Sequence, residues 1–156
     1  MSEDITLRMA TVDDAPIIVH HRRAMFTDMG QTDPATLDAM DATFAPYVRR
    51  TLAEGSYRGW LAVTNEGRVV AGGGLIVHEW PATPRSSDTQ RAYILNVYTE
   101  PDYRQRGLAR RIMNAILDCC RAEGFHSISL HASEFGRPLY ESMGFQPTNE
   151  MRLRLA

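Results

Sequence analysis

The sequence predicts a mixed α/β fold: one sheet layer with helices on both of its faces. Three observations predict it. Short runs of alternating or apolar residues recur along the chain, segments of helical period separate them, and cap or turn residues stand at the junctions. The resulting order is strand, two helices, three strands, helix, strand, helix, strand.

Ile5 to Met9 alternates apolar and polar and reads as the first strand. Thr11 and Asp14 then form a capping-box-like start, and Pro16 sits in the first turn, where a missing N–H costs little. Ile18, Met25 and Met29 mark one side of the helix that follows, which Gly30 ends. A second helix is expected from Pro34 to Glu54, with Pro46 as a candidate break and Gly55 as its stop. Trp60 to Val63 forms an apolar run, Asn65-Glu66-Gly67 a hairpin turn, and Val69 to Val77 the answering strand. Gly72, Gly73 and Gly74 interrupt that strand. Without a Gly-Lys-Ser/Thr ending they read as a bulge or a close backbone approach rather than a phosphate loop. The Pro-, Ser- and Thr-rich stretch from Trp80 to Gln90 is expected to be a mobile loop, before strand signal returns at Tyr93 to Tyr98.

The clearest helix follows. Leu108, Ile112, Ile116 and Cys119/Cys120 line one face, arginines and other polar residues line the rest, and Gly124 caps it. Ser127 to His131 is a strand, a short helix runs through Leu139 and Tyr140 to Gly144, and Met151 to Leu155 alternates as a last strand. No repeat or boundary divides the chain, so residues 1–156 are expected to form a single domain.

A net charge of −2 argues against a nucleic-acid or anionic-membrane partner. No apolar run approaches the roughly 20 residues of a membrane span, and no leader is recognisable, so a cytoplasmic location is the expectation. The two cysteines are neighbours, and His20-His21 lacks helical metal spacing; neither a disulfide framework nor a metal site is expected.

The chemistry concentrates where the Tyr93–Tyr98 strand turns into the helix at Leu108. The first amides of a helix lack internal partners and carry the positive end of its dipole, so they form a seat for phosphate. Gly107 leaves that approach open, Ala109 adds little bulk, and Arg104, Arg106, Arg110 and Arg111 add positive charge. A second informative segment is Arg137-Pro138-Leu139-Tyr140-Glu141-Ser142-Met143-Gly144-Phe145.

With these two segments the chain resembles the GCN5-related N-acetyltransferase (GNAT) superfamily. Arg104, Gly107 and Ala109 match its Arg/Gln-x-x-Gly-x-Gly/Ala signature, and the Leu-Tyr-Glu-Ser-Met-Gly-Phe run is similar to its later helix and turn. The resemblance implies a twisted mixed sheet of about six to seven strands flanked by about four helices, and transfer of acetyl from acetyl-CoA to a primary amine by direct attack in a ternary complex. Backbone amides from Gln105 through Arg106, Gly107, Leu108 and Ala109 to Arg110 would take the pyrophosphate, with Arg104 beside them. Val97, Tyr98 and Thr99 would pair with the pantetheine arm like an added strand, and one amide there would stabilise an oxyanion. Ser133 stands where many relatives use a polar side chain on the cofactor.

Tyr140 is the expected general acid for the departing thiolate. For the base three candidates stay open: His131, preferred by a small margin for its intrinsic pKa; Glu79; and a water held by Asn96 or backbone carbonyls. Arg22, Arg23, Met25, Phe26 and Met29 are expected to form the acceptor wall, mixing cationic, thioether and aromatic groups, together with Asn96. The acceptor is expected to be a small-molecule or peptide amine, and a homodimer is one state the resemblance allows. Two alternatives are a non-catalytic coenzyme A-binding module and an enzyme using a longer acyl donor.

Overall fold

The alternation at Ile5–Met9 becomes β1 in the computed structural model, which describes residues 4–155. A single 3-10 turn precedes α1 (Ala15–Asp28). There the Asp14 carboxylate accepts the Thr11 N–H at 2.7 Å and is gripped by Arg8, which holds it below the usual carboxylate range. α2 runs unbroken from Pro34 to Glu54, its first turn capped by the Asp33 carboxylate on the Thr36 N–H, 3.2 Å away. The expected break at Pro46 does not occur. Pro46 and Ala42 both lie on the exposed face, where water can take the Ala42 carbonyl that a proline leaves without its helical donor.

β2 (Tyr57–Thr64), β3 (Val69–Glu79) and β4 (Gln90–Thr99) follow, then α3 (Leu108–Ala122), β5 (Ile128–Leu130) and α4 (Arg137–Ser142). The sheet has the order β1-β2-β3-β4-β5, antiparallel except for the last pair, β4 with β5. α3 covers one face, placing Leu108, Ile112, Met113 and Ile116 against Trp60, Val70 and Leu75. α1 and α2 cover the other through Ala15, Ile18, Phe44 and Val48, packed on Tyr57. This is the predicted fold class: a mixed sheet between helical layers.

The glycine run permits both packings. A Cβ on Gly73 would lie 2.7 Å from Ile112 of α3, and one on Gly72 would lie 2.9 Å from His21 of α1. At the same place the ladder slips: Gly72 pairs with Tyr98 but Gly74 with Leu95, so Asn96 and Val97 together face Gly73. Asn96 takes φ +58°, the bulge conformation that asparagine tolerates better than most residues.

Among the described residues the sheet holds five strands, where six to seven were expected. The missing one is Met151–Leu155, which forms no strand and leaves Met151, Leu153 and Leu155 exposed. Alternation fits a residue to a strand, but a strand also needs a neighbouring backbone. Among the described residues, no helix is long and apolar enough to cross a membrane.

Candidate active site

β5 pairs with β4 only from Ala92 to Ile94, so Leu95–Thr99 continues past it with one backbone edge unpaired on that side. A cavity of about 540 Å³ opens there, bounded by Val97–Thr99, the start of α3, α4 and the end of α1. An extended chain can hydrogen-bond to such an edge as an added strand.

Gly107 ends this cavity as the N-cap of α3. It has φ +75°, and no side chain caps the helix. Gln105 shares the left-handed conformation, with φ +63°. Leu108, Ala109 and Arg110, the first residues of α3, are wall residues of this cavity, and the first amides of a helix lack acceptors within it. A Cβ on Gly107 would meet nothing within 4 Å, so its glycine requirement comes from φ and not from crowding.

The arginines divide unequally. Arg110 lines the cavity, with Nη2 donating to Ser142 Oγ at 2.8 Å. Arg104 also lines it, but its guanidinium is already bound to the Thr99 carbonyl at 2.9 Å and to Asp28 at 2.6 Å. It braces α1 against the strand end. Arg106 lies outside the cavity, stacked on Tyr103 with Nη2 on the Asp102 carbonyl. Of these three arginines, only Arg110 lines the cavity without a carboxylate partner among the described residues.

Tyr140 enters from α4. It is buried, edge-on to Phe145, and burial pushes its phenol above the ordinary range, which keeps the proton on oxygen. Gly136 makes room, since a Cβ there would lie 2.7 Å from the Tyr140 ring. Ser133 lines the same wall and accepts the Gly136 N–H at 3.1 Å, so it orders the loop leading into α4.

Across the bulge lies a second cavity of about 520 Å³, between α1, α2 and the sheet. Arg22, Phe44, Tyr47 and Leu95 line it. Arg22 Nη1 donates to Asn96 Oδ1 at 2.7 Å, and Asn96 Nδ2 donates to the Tyr57 hydroxyl at 3.0 Å. Asn96 is thus buried on one side of the bulge, while Val97, the next residue, faces the first cavity.

Three expectations change here. Met25 and Met29 line the first cavity, not the second; α1 places them on the flank facing Val97–Thr99. Phe26, on the other flank, stacks on Arg22 with 5.0 Å from guanidinium carbon to ring centre, and lines neither cavity. His131 and Glu79 line neither cavity as well. Arg152 donates to His131 Nε2 at 2.6 Å. Nδ1 is in hydrogen-bond contact with the Tyr93 hydroxyl, so both ring nitrogens are engaged. Glu79 is exposed at the far end of β3, opposite Gln90. A strand rises about 3.3 Å per residue, which leaves Glu79 well over 10 Å from the bulge at Gly74. Arg22 was named for the acceptor wall from the sequence, but its contacts could not be read there. Its partners Asn96 and Phe44 are distant in sequence, and no local period connects them.

The sequence model of the acetyltransferase (GNAT) family matches residues 18–145. A crystal structure of a GCN5-related N-acetyltransferase from Ralstonia eutropha JMP134 superposes with a TM-score of 0.91 at 38% identity, over 97% of this chain and 99% of that one. A predicted acetyltransferase from Clostridium acetobutylicum, solved with acetyl-CoA, gives 0.88 at 28% identity, over 98% and 96%. Among curated proteins, the uncharacterized N-acetyltransferase YycN of Bacillus subtilis (strain 168) is 30% identical over 68% of this chain, and glucosamine 6-phosphate N-acetyltransferase of Trypanosoma brucei brucei is 30% identical over 57%. The matches span 66% and 58% of those two proteins.

Proposed function

The chain belongs to the acetyltransferase (GNAT) family, and on that premise we propose that it transfers acetyl from acetyl-CoA to the primary amine of a small molecule or peptide in a ternary complex. One observation carries the reading: the uncapped start of α3, the free edge of β4 and Tyr140 all border one cavity.

The residues divide the task by position. Amides at the start of α3 hold the diphosphate, with Arg110 beside them. The Val97–Thr99 edge orients the pantetheine arm, and an amide at the bulge donates to the thioester oxygen as negative charge develops on it. Tyr140, kept protonated by burial, gives its proton to the departing sulfur. The amine enters from the Arg22 side of the bulge and attacks across it.

An amine of pKa about 10.4 must first lose a proton. Neither His131 nor Glu79 borders the two cavities, which supports the third candidate, a water held by Asn96 or backbone carbonyls passing the proton to solvent. The test follows thiol release from acetyl-CoA across a panel of amines. Turnover with any member supports the reading, and the rate at low amine concentration rises with pH toward that amine's own pKa. Tight coenzyme A binding with no turnover on the whole panel contradicts transfer and leaves a binding module.

A further inference from the structure

We propose that the amine acceptor carries an anionic group, a carboxylate or a phosphate, on an apolar body, and that Arg22 is its counter-ion. This rests on the acetyltransferase reading, whose acceptor it restricts.

Arg22 is half-buried and makes no ion pair among the described residues, whereas its neighbour Arg23 binds both Asp38, at 2.8 Å, and Asp41, at 2.7 Å. Among the described residues its one side-chain hydrogen bond goes to the neutral amide of Asn96, and Nε is buried with no partner. Burial lowers its pKa, and the groups that oppose this lowering are tyrosines, not carboxylates. An uncompensated cation in such surroundings is costly, so a fold built for stability alone would pair it or replace it.

The side chain is also held still. Phe26 and Phe44 clamp the guanidinium, with ring centres 5.0 and 4.9 Å from its carbon. That leaves its edge for a ligand, and a planar fork of N–H donors suits carboxylate or phosphate oxygens. The rest of the cavity wall, including Met40, Tyr47, Ile76 and Leu95, has no acidic residue and suits an apolar body. Arg22 and the reaction centre are coupled directly, because the guanidinium grips Asn96, the residue next to Val97 on the cofactor edge.

The experiment uses amines in pairs that differ by the anion: phenylalanine with 2-phenylethylamine, and 2-aminoethyl phosphate with ethanolamine. The anionic member of at least one pair should have the higher kcat/KM, by about 100-fold. In Arg22→Met this preference should vanish, mainly through KM, while coenzyme A binds as before; Arg22→Lys should restore part of it. Equal turnover within both pairs, or a preference that survives Arg22→Met, overturns the inference and leaves acetyl transfer standing. Should no amine turn over, the reading of the enzyme fails, and a direct titration decides the site. The Arg22 Nε–H resonance should then shift on adding 3-phenylpropionate or methyl phosphate to the wild-type protein, and an unmoved resonance overturns the proposal.

Discussion

Arg22 Nη1 lies 2.7 Å from Asn96 Oδ1, which ties the middle of α1 to the bulge of β4. The two residues come from opposite sides of a helix–sheet interface, and among the described residues neither has another polar side-chain partner except Tyr57, which accepts from Asn96 Nδ2. The bulge and the walls of both cavities thus share one small network.

Tyr57→Phe tests that network. The substitution removes the acceptor of a buried Asn96 N–H and should cost about 1–3 kcal/mol of stability. Because Asn96 then loses its anchor, kcat should fall while coenzyme A affinity stays within a few-fold. Urea unfolding and steady-state kinetics measure the two effects, and unchanged stability with unchanged kcat contradicts the account.

Gly107→Glu and Gly107→Asn separate charge from backbone strain in the cradle. Asparagine accepts the φ of +75° found there and should keep coenzyme A binding within about 10-fold. Glutamate adds negative charge at the helix N-terminus and should weaken binding by about 100-fold or more. Calorimetric titration gives both constants. Equal loss in the two variants would assign the effect to the turn and not to the anion seat.

Tyr140→Phe keeps the packing against Phe145 and removes only the proton donor. The expected loss in kcat is about 100-fold, at the low end for a general acid, because a thiol of pKa about 8.5 already leaves readily. Binding of acetyl-CoA should hardly change. An unaltered kcat, with single-turnover data showing that chemistry limits the rate, removes Tyr140 from the proton transfer.

Acid should destabilise the fold through His21. Burial, with a smaller push from His20, lowers its pKa from 6.5 to about 4. The unfolded chain therefore takes up a proton near pH 6.5 and the folded chain only near pH 4, so stability is full above that window and falls as pH drops through it. Between pH 7 and pH 5 the loss amounts to about 2 kcal/mol. Urea unfolding of His21→Leu should show a loss smaller by that amount, and parallel losses in the two proteins contradict the assignment.

The junction of β4 with α3 was legible because everything it needs is local: a strand, a glycine turn and a strong helical period within a short stretch. The Gly72–Gly74 run showed as a bulge or a close approach, and the structure uses it for both. What sequence reading missed depends on distant partners. Alternation at Met151–Leu155 predicted a strand but named no neighbour for it. The intrinsic pKa of His131 suggested a base, while Arg152 and Tyr93, which occupy its nitrogens, come from elsewhere in the chain. On α1, the helical period marked one apolar side but did not divide it between two cavities, so Met25 and Met29 were grouped with Phe26.

The central claim is that the first amides of α3 seat the diphosphate. Titrating 15N-labelled protein with coenzyme A and following every backbone amide tests it directly. The account predicts that the amides from Gly107 to Arg110 shift most and saturate together with binding. Saturable binding that leaves those amides unmoved, with the largest shifts elsewhere, would contradict it.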